Sequence, residues 1–494
     1  MMTSSLGPAS RAAAIATMTS EPLDLLVVGA GATGTGTALD AAARGLSVGL
    51  IDKGDIAGGT SSRSSQLVHG GLRYLQQGNV ALVRESLRER ELLLTTLAPH
   101  LVRPLPFILP LRHRVWQRAY MGAGLTAYDI LARSGVLPRH RHLSRRRTLE
   151  RFPDLQPTSL AGGLEYYDAQ MDDARLAVAI ARTAAGRGAL VAPHVGLVGR
   201  IDDASDGLHR VVVRDELSGE ESVIAARCIA LCVGVWAPEV SALFTGAETA
   251  VGITRSKGVH LRLPREAISG QTALIIPTHS SVLFVIPTPT HWLVGTTDTE
   301  FLGDPDSVEP TSEDVEYLLG LLRDNLSAPL TVDDVTYTFA GLRPLVRDEA
   351  VGGNTAKVTR EHRIARVAPG VLAIVGGKWT TYRVMARDLV DTAISECGLP
   401  QAPCTTQTIP LVDGRDEETA ALIDADPGLA EPLAGAEGYR RADVAQAFLH
   451  EGAALVEDVV ERRLRLRLTL DDVPEATMDA IAGIMGQAGD RVDR

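Results

Sequence analysis

Residues 25–28 (Leu-Leu-Val-Val) form a short unbroken apolar run that reads as a buried strand. Gly29, Gly31 and Gly34 follow in Gly-Ala-Gly-Ala-Thr-Gly, and Thr37, Ala38, Leu39, Ala41 and Ala42 then fall at helical spacing. Gly45 suits the left-handed position that closes a helix, and a second apolar run ends at Asp52. Strand, helix and strand in this order predict a βαβ unit.

Further along, an Arg- and Glu-rich helix is expected over 80–97, stopped by Pro99, and Pro104, Pro106 and Pro110 mark an extended crossing. A helix over 174–186 precedes strands near 190–200, 209–215 and 222–233. Residues 251–300, punctuated by Pro277, Pro287 and Pro289, read as antiparallel sheet. A helix near 312–325, more β structure up to 371–378, a helix from Thr381 and a helical pattern after Pro400 complete the chain, with no internal repeat. The expected fold class is α/β. A Rossmann-like dinucleotide-binding domain is split over 22–105, 165–250 and 340–398. An antiparallel-β substrate or cap domain (106–164 and 251–339) is inserted in it, and a small helical domain spans 399–494. Residues 1–21 are small and polar without a continuous apolar stretch, and read as a disordered tail with Met18 as an alternative start.

Composition narrows the function. At 494 residues, with 45% hydrophobic and 22% charged positions, the chain can build two or three cores. A net charge of −12 argues against a nucleic-acid partner, and no apolar run approaches the length of a membrane span. Cys228 and Cys232 share one side of a strand-like run and read as core; neither a CxxC nor a zinc pattern is present, no metal is expected, and the cytoplasm is the default compartment. Only four of the 49 basic residues are lysines (Lys53, Lys257, Lys357, Lys378), so each is a position where a compact ammonium is plausibly wanted.

The glycine segment carries the first chemistry. Gly29 permits the tight turn, Gly31 lets the backbone approach a pyrophosphate, and Gly34 lets the helix lie against the strand. Asp52, 23 positions after Gly29, stands where a carboxylate accepts from a ribose hydroxyl and would repel a 2′-phosphate. This points to FAD or NAD rather than NADP. A split βαβ domain with an antiparallel insert suits FAD flavoproteins better than NAD dehydrogenases.

Four segments together resemble the FAD-dependent, quinone-linked glycerol-3-phosphate dehydrogenases: Gly-Thr-Ser-Ser-Arg-Ser-Ser-Gln-Leu-Val-His-Gly-Gly-Leu-Arg-Tyr-Leu (59–75), Met-Asp-Asp-Ala-Arg-Leu (171–176), Ala-Gly-Leu-Arg-Pro-Leu (340–345) and Gly-Gly-Lys-Trp-Thr-Thr-Tyr-Arg (376–383). Residues 450–463 resemble that family's C-terminal domain more loosely, and Lys257-Gly-Val-His260 resembles its Lys-Gly-Ser-His with Val259 in place of serine. The resemblance implies oxidation of sn-glycerol 3-phosphate to dihydroxyacetone phosphate on FAD, with electrons passed to ubiquinone or menaquinone at a membrane. It implies His69 as the base for the hydroxyl proton, with His260 as the rival base or oxyanion stabiliser. Arg73, Arg343 and Arg360, with Tyr74, are the implied substrate-binding residues, and Pro344 biases Arg343 to an extended conformation in a rigid loop. Lys378 is implied beside the flavin or the substrate oxygen, where a cation stabilises developing negative charge. Lys53, Thr60, Ser61, Ser64, Gly376, Gly377 and Thr380 complete the implied FAD contacts.

Several readings stay open on sequence. Met171, Asp172 and Asp173 read as a helix cap, and Trp236 as either an adenylate contact or core. The basic run 139–151 is either a solvated face or a docking face for an anionic membrane, which would make the protein peripheral there. A homodimer is among the assemblies allowed. The alternatives in function are an amine or amino-acid oxidase of the same architecture, a glycerol-3-phosphate oxidase using oxygen, and a flavoprotein without turnover.

Overall fold

The strand Leu23–Val28 is the centre of a parallel sheet, flanked by Val48–Asp52 on one side and Glu221–Leu231 on the other. Leu190–Pro193 and Val371–Gly376 extend it in parallel at either end. The antiparallel strands His362–Ala368, His209–Asp215 and Val195–Ile201 bring it to eight strands among the described residues. The computed structural model describes residues 4–76, 78–113, 115–132, 135–201, 206–246, 251–278, 282–346 and 361–492. A parallel sheet must be covered on both faces, which explains why its inner stretches 25–28, 228–231 and 371–375 are apolar without alternation. Helix Ala32–Ala43 carries almost only small residues because helix Tyr382–Cys397 lies on it: a Cβ added to Gly36 would sit 2.8 Å from the Tyr382 ring.

The chain divides into two compact units. The first holds residues 1–62, 173–253 and 362–494, the second 63–172 and 254–361. Segments 63–105, 165–172 and 340–361, assigned on sequence to the dinucleotide domain, therefore lie in the second unit, and 399–494 lies in the first rather than apart. The C-terminal stretch still has its own apolar cluster, built on Leu433, Val459, Val460, Leu466 and Ile481.

The N-terminal tail expected to be disordered is instead the helix Pro8–Ser20. Proline opens it, Met18 is fully buried, and Arg11 pairs with Asp215 at 2.7 Å. Alanines spaced along a weakly apolar helix give little periodic signal, so only the packing reveals it.

The second unit is organised by a ten-stranded, mostly antiparallel sheet among its described residues. Strands Val102–Leu111 and Gly162–Met171 pair along their whole length, from Val102 opposite Met171 to Leu111 opposite Gly162. Pro104, Pro106 and Pro110 share one parity, so the missing N–H groups fall on one side of the strand. Helix Ser312–Asn325 covers the other core cluster, around Trp292, and begins at a Thr311–Asp314 capping box.

Candidate functional site

In the first unit the glycine turn has the geometry a pyrophosphate site needs. Gly29 sits at φ +102°, and a Cβ there would meet the Cys232 carbonyl at 2.6 Å. A Cβ on Gly34 would lie 1.7 Å from the Gly29 oxygen, so helix Ala32–Ala43 can start where it does only with glycine there. The short turn Thr60–Ser62 comes up to this helix start: Ser61 Oγ accepts from the Ala32 N–H at 2.9 Å. Asp52 does more than wait for a ribose. Its two oxygens accept from the N–H groups of Ala30 (2.6 Å) and Gly54 (2.8 Å), tying the glycine turn to the loop that follows Asp52. Burial pushes its pKa up against the lowering effect of these two N–H groups. Each oxygen keeps a second lone pair for a ribose hydroxyl.

Around this turn, Lys53 Nζ lies 4.9 Å from the centre of the Trp236 ring, and Gly59 gives that ring room, since a Cβ would stand 2.8 Å from it. Gly376 and Gly377 both take φ +77°, leading from strand Val371–Gly376 to Lys378, whose ammonium is buried. Trp379 Nε1 then donates to the Ser61 carbonyl at 2.9 Å, and Thr380 is buried beside it. The residues of this unit expected to hold a dinucleotide thus converge on one surface; Ser64 falls in the second unit, where its Oγ accepts from the Gln66 N–H. Backbone N–H groups at a helix start, glycines without side-chain bulk and an acid at the neighbouring strand end fit the phosphates and ribose of FAD.

In the second unit, His69 is half-buried between strand Leu67–Val68 and helix Leu72–Gln76. Its neighbour Gly70 donates its N–H to Tyr128 Oη (2.9 Å) and Asp168 Oδ1 (3.2 Å). Tyr128 also donates to Asp168 at 2.7 Å, and Arg90 closes the group with a further bond to the same carboxylate. Burial, then the Asp168 charge, pushes the Tyr128 phenol well up, so it stays a neutral donor. This buried trio was not expected from sequence. Arg73 lies in helix Leu72–Gln76, Tyr74 is half-buried on the same helix against the apolar cluster around Tyr128, and Arg360 lies outside the described residues.

His260 and Arg343 form the other focus of this unit. His260, on strand Ile253–Pro264, is 2% exposed; its Nε2 lies 2.8 Å from Ser65 Oγ and its ring stacks on Phe339 at 4.9 Å. Burial and then the Arg343 charge push the imidazole down to about 3, so it is neutral near pH 7. Arg343 belongs to strand Tyr337–Val346, not to the loop expected. Its guanidinium donates to Ser256 Oγ (3.2 Å), the Thr297 carbonyl (3.2 Å) and Thr296 Oγ1 (2.9 Å). It lies over Gly258, where a Cβ would collide at 2.3 Å. Val259, in place of the family's serine, is fully buried in the apolar cluster, and Lys257 pairs with Asp314 of the capping box at 2.5 Å. That lysine serves the fold.

Residues 24–391 match the model of the family described as FAD dependent oxidoreductase. The chain is 39% identical to glycerol-3-phosphate dehydrogenase 2 of Mycobacterium tuberculosis, over 99% of this chain and 89% of that protein. It is 40% identical to glycerol-3-phosphate dehydrogenase of Mycobacterium leprae, over 99% and 90%. Among solved structures, it superposes on the glycerol-3-phosphate dehydrogenase of Bacillus halodurans complexed with FAD with a TM-score of 0.73 and 26% identity, covering 100% of this chain and 97% of that one.

Proposed function

Since the chain belongs to the FAD-dependent oxidoreductases, in their glycerol-3-phosphate dehydrogenase family, we propose that it oxidises sn-glycerol 3-phosphate to dihydroxyacetone phosphate and passes the electrons to a membrane quinone. FAD, its cofactor, supplies the hydride acceptor. The chain's own residues then have three tasks: hold the phosphate, take the hydroxyl proton and offset charge on the reacting oxygen. Arg343 carries the reading. Its guanidinium is held by two hydroxyls and a carbonyl over a glycine, with its side chain 20% exposed, and a cation ordered in this way suits a dianion better than a free surface arginine. Arg73, Tyr74 and Arg360 are assigned to the same task.

We assign the base to His69. His260, neutral and pushed down to about 3, is a weak proton acceptor and serves better as a neutral partner to a substrate oxygen. Lys378 offsets negative charge as the hydroxyl loses its proton. Anaerobic mixing with glycerol 3-phosphate tests the reading: it should bleach the flavin absorbance, while glycerol, amines and amino acids should not. Bleaching by an amino acid would replace it with the amine-oxidase reading. Reoxidation faster with a quinone than with air would fix the acceptor; the reverse would make the protein an oxidase.

Membrane delivery has a surface to support it. Helix Trp116–Ala132 exposes Trp116 (62%), Tyr120 and Ile130, with Val115 just before it. Arg118 ties this helix to strand Arg141–Ser144 through the Leu143 carbonyl at 3.0 Å, beside the exposed Arg139, Arg141, Arg145, Arg146 and Arg147. Aromatic side chains flanked by arginines suit an anionic bilayer, and no described helix is long and apolar enough to cross one. Sedimentation with phosphatidylglycerol vesicles should be lost in Trp116→Asp and weakened by salt; unchanged binding would refute this face.

A further inference from the structure

The turn Val459–Arg463 and the residues after it reach out of the C-terminal segment toward the loop that follows Asp52. Arg463 donates through both terminal nitrogens to the two oxygens of Asp55, at 2.7 Å each, and also to the Glu451 carbonyl. Arg462 adds a bond to Asp55 at 2.5 Å and one to Asp458 at 2.7 Å. Arg465 adopts φ +58°, a conformation that favours glycine, so a side chain is kept there against a backbone cost. That side chain donates to the Ser62 carbonyl at 3.1 Å and to Asp173 at 3.0 Å. Asp55, His194 and Asp458 bring ligand atoms within 4.8 Å of one another, as a metal site would. Arg462 and Arg463 answer those carboxylates, which leaves the group an ion-pair network rather than a cation site.

The short stretch from Arg462 to Arg465 therefore holds both ends of residues 55–62. Between those ends the loop touches the glycine turn twice: the Ala57 N–H donates to the Ala30 carbonyl at 3.0 Å, and Ser61 Oγ takes the Ala32 N–H. Its Ser61 carbonyl also receives Trp379 Nε1. We infer that the C-terminal arginines Arg462, Arg463 and Arg465 are positioning residues for FAD, holding the 55–62 loop in the shape that presents Ser61 and the glycine turn to the cofactor phosphates. This extends to a segment beyond the residues that match the oxidoreductase family model, and it does not depend on which alcohol is oxidised.

The test is FAD titration of the full-length apoprotein, read by quenching of flavin fluorescence, beside the melting temperature of the same apoprotein. Arg465→Met should bind FAD at least about tenfold more weakly, and the FAD-bound form should lose more in melting temperature than the apoprotein does. Arg465→Lys, able to reach one partner but not both, should fall between. Unchanged FAD affinity in Arg465→Met would overturn the inference. So would an apoprotein destabilised as much as the FAD-bound form in both variants, because the arginine would then serve the fold and not the cofactor loop.

Discussion

The two units make their chemistry from different materials. In the first, the surface we propose for the cofactor is shaped by backbone: the bare Cα atoms of Gly29, Gly31 and Gly34, with the Ala30 and Ala32 N–H groups and the Ser61 carbonyl tied to Asp52, Ser61 and Trp379. In the second, the groups proposed to act are side chains: His69, His260, Arg343 and the polar groups around them. A backbone site is specified by a run of neighbouring residues, and its enemy is any added atom. A side-chain site is specified by strand pairings far apart in sequence, and its enemy is the loss of a partner.

The largest expected effect attacks the backbone site. Gly34→Val places its Cβ 1.7 Å from the Gly29 oxygen, so the purified variant should contain no flavin, measured by absorbance after denaturation. Retained flavin would mean that the turn yields and that the contrast is overdrawn. Next, Arg343→Met should keep full flavin content yet lose roughly 10²-fold in kcat/KM for glycerol 3-phosphate, as charged hydrogen bonds to a dianion are removed. Glycerol turnover, already poor, should not change; equal loss on both would make Arg343 structural.

A smaller effect separates the two histidines. The rate of anaerobic flavin reduction should rise with pH, and His69→Asn should abolish that limb while His260→Asn keeps it. If the limb vanishes in His260→Asn instead, the base assignment passes to His260. The smallest effect is on acid stability. An unfolded His260 takes a proton near 6.5, whereas the folded one resists until about 3, so its contribution is full above about 6.5 and drains away as pH falls toward about 3. His260→Asn should therefore show a flatter fall in melting temperature between about pH 7 and about pH 5 than the parent. In the first unit the corresponding groups are Glu451, held low chiefly by Arg175 against its burial, and Asp458, held low by His194 against its burial. Their contribution stays intact in that window and is lost only below the ordinary carboxylate range.

The contrast also explains what could be read from the chain. Gly29, Gly34 and Asp52 were legible because the site they build spans fewer than thirty residues. Arg90 was not, because an arginine on a helix rich in charge reads as solvated. Only the pairing of Val102–Leu111 with Gly162–Met171, which sets Asp168 opposite Leu105, shows where its partner comes from. The burial of Arg90 beside Glu89, on a helix where Arg84 and Arg88 are exposed, shows only in the structure. Arg465 gave no signal, since a left-handed backbone at a non-glycine position leaves no trace in composition. The helix Pro8–Ser20 is hidden for another reason, its alanines being neutral to any apolar pattern.

The residues that lead into that helix set a clock on biosynthesis. Ser5 Oγ donates to the Leu449 carbonyl, 444 positions away, and the Leu6 N–H to the carbonyl of His450. At about 5–20 residues per second, roughly 20 to 90 seconds separate the synthesis of the first partner from that of the last. Through that interval Ser5 and Leu6 wait for partners not yet made, and the seam they form cannot close until residue 450 has been added.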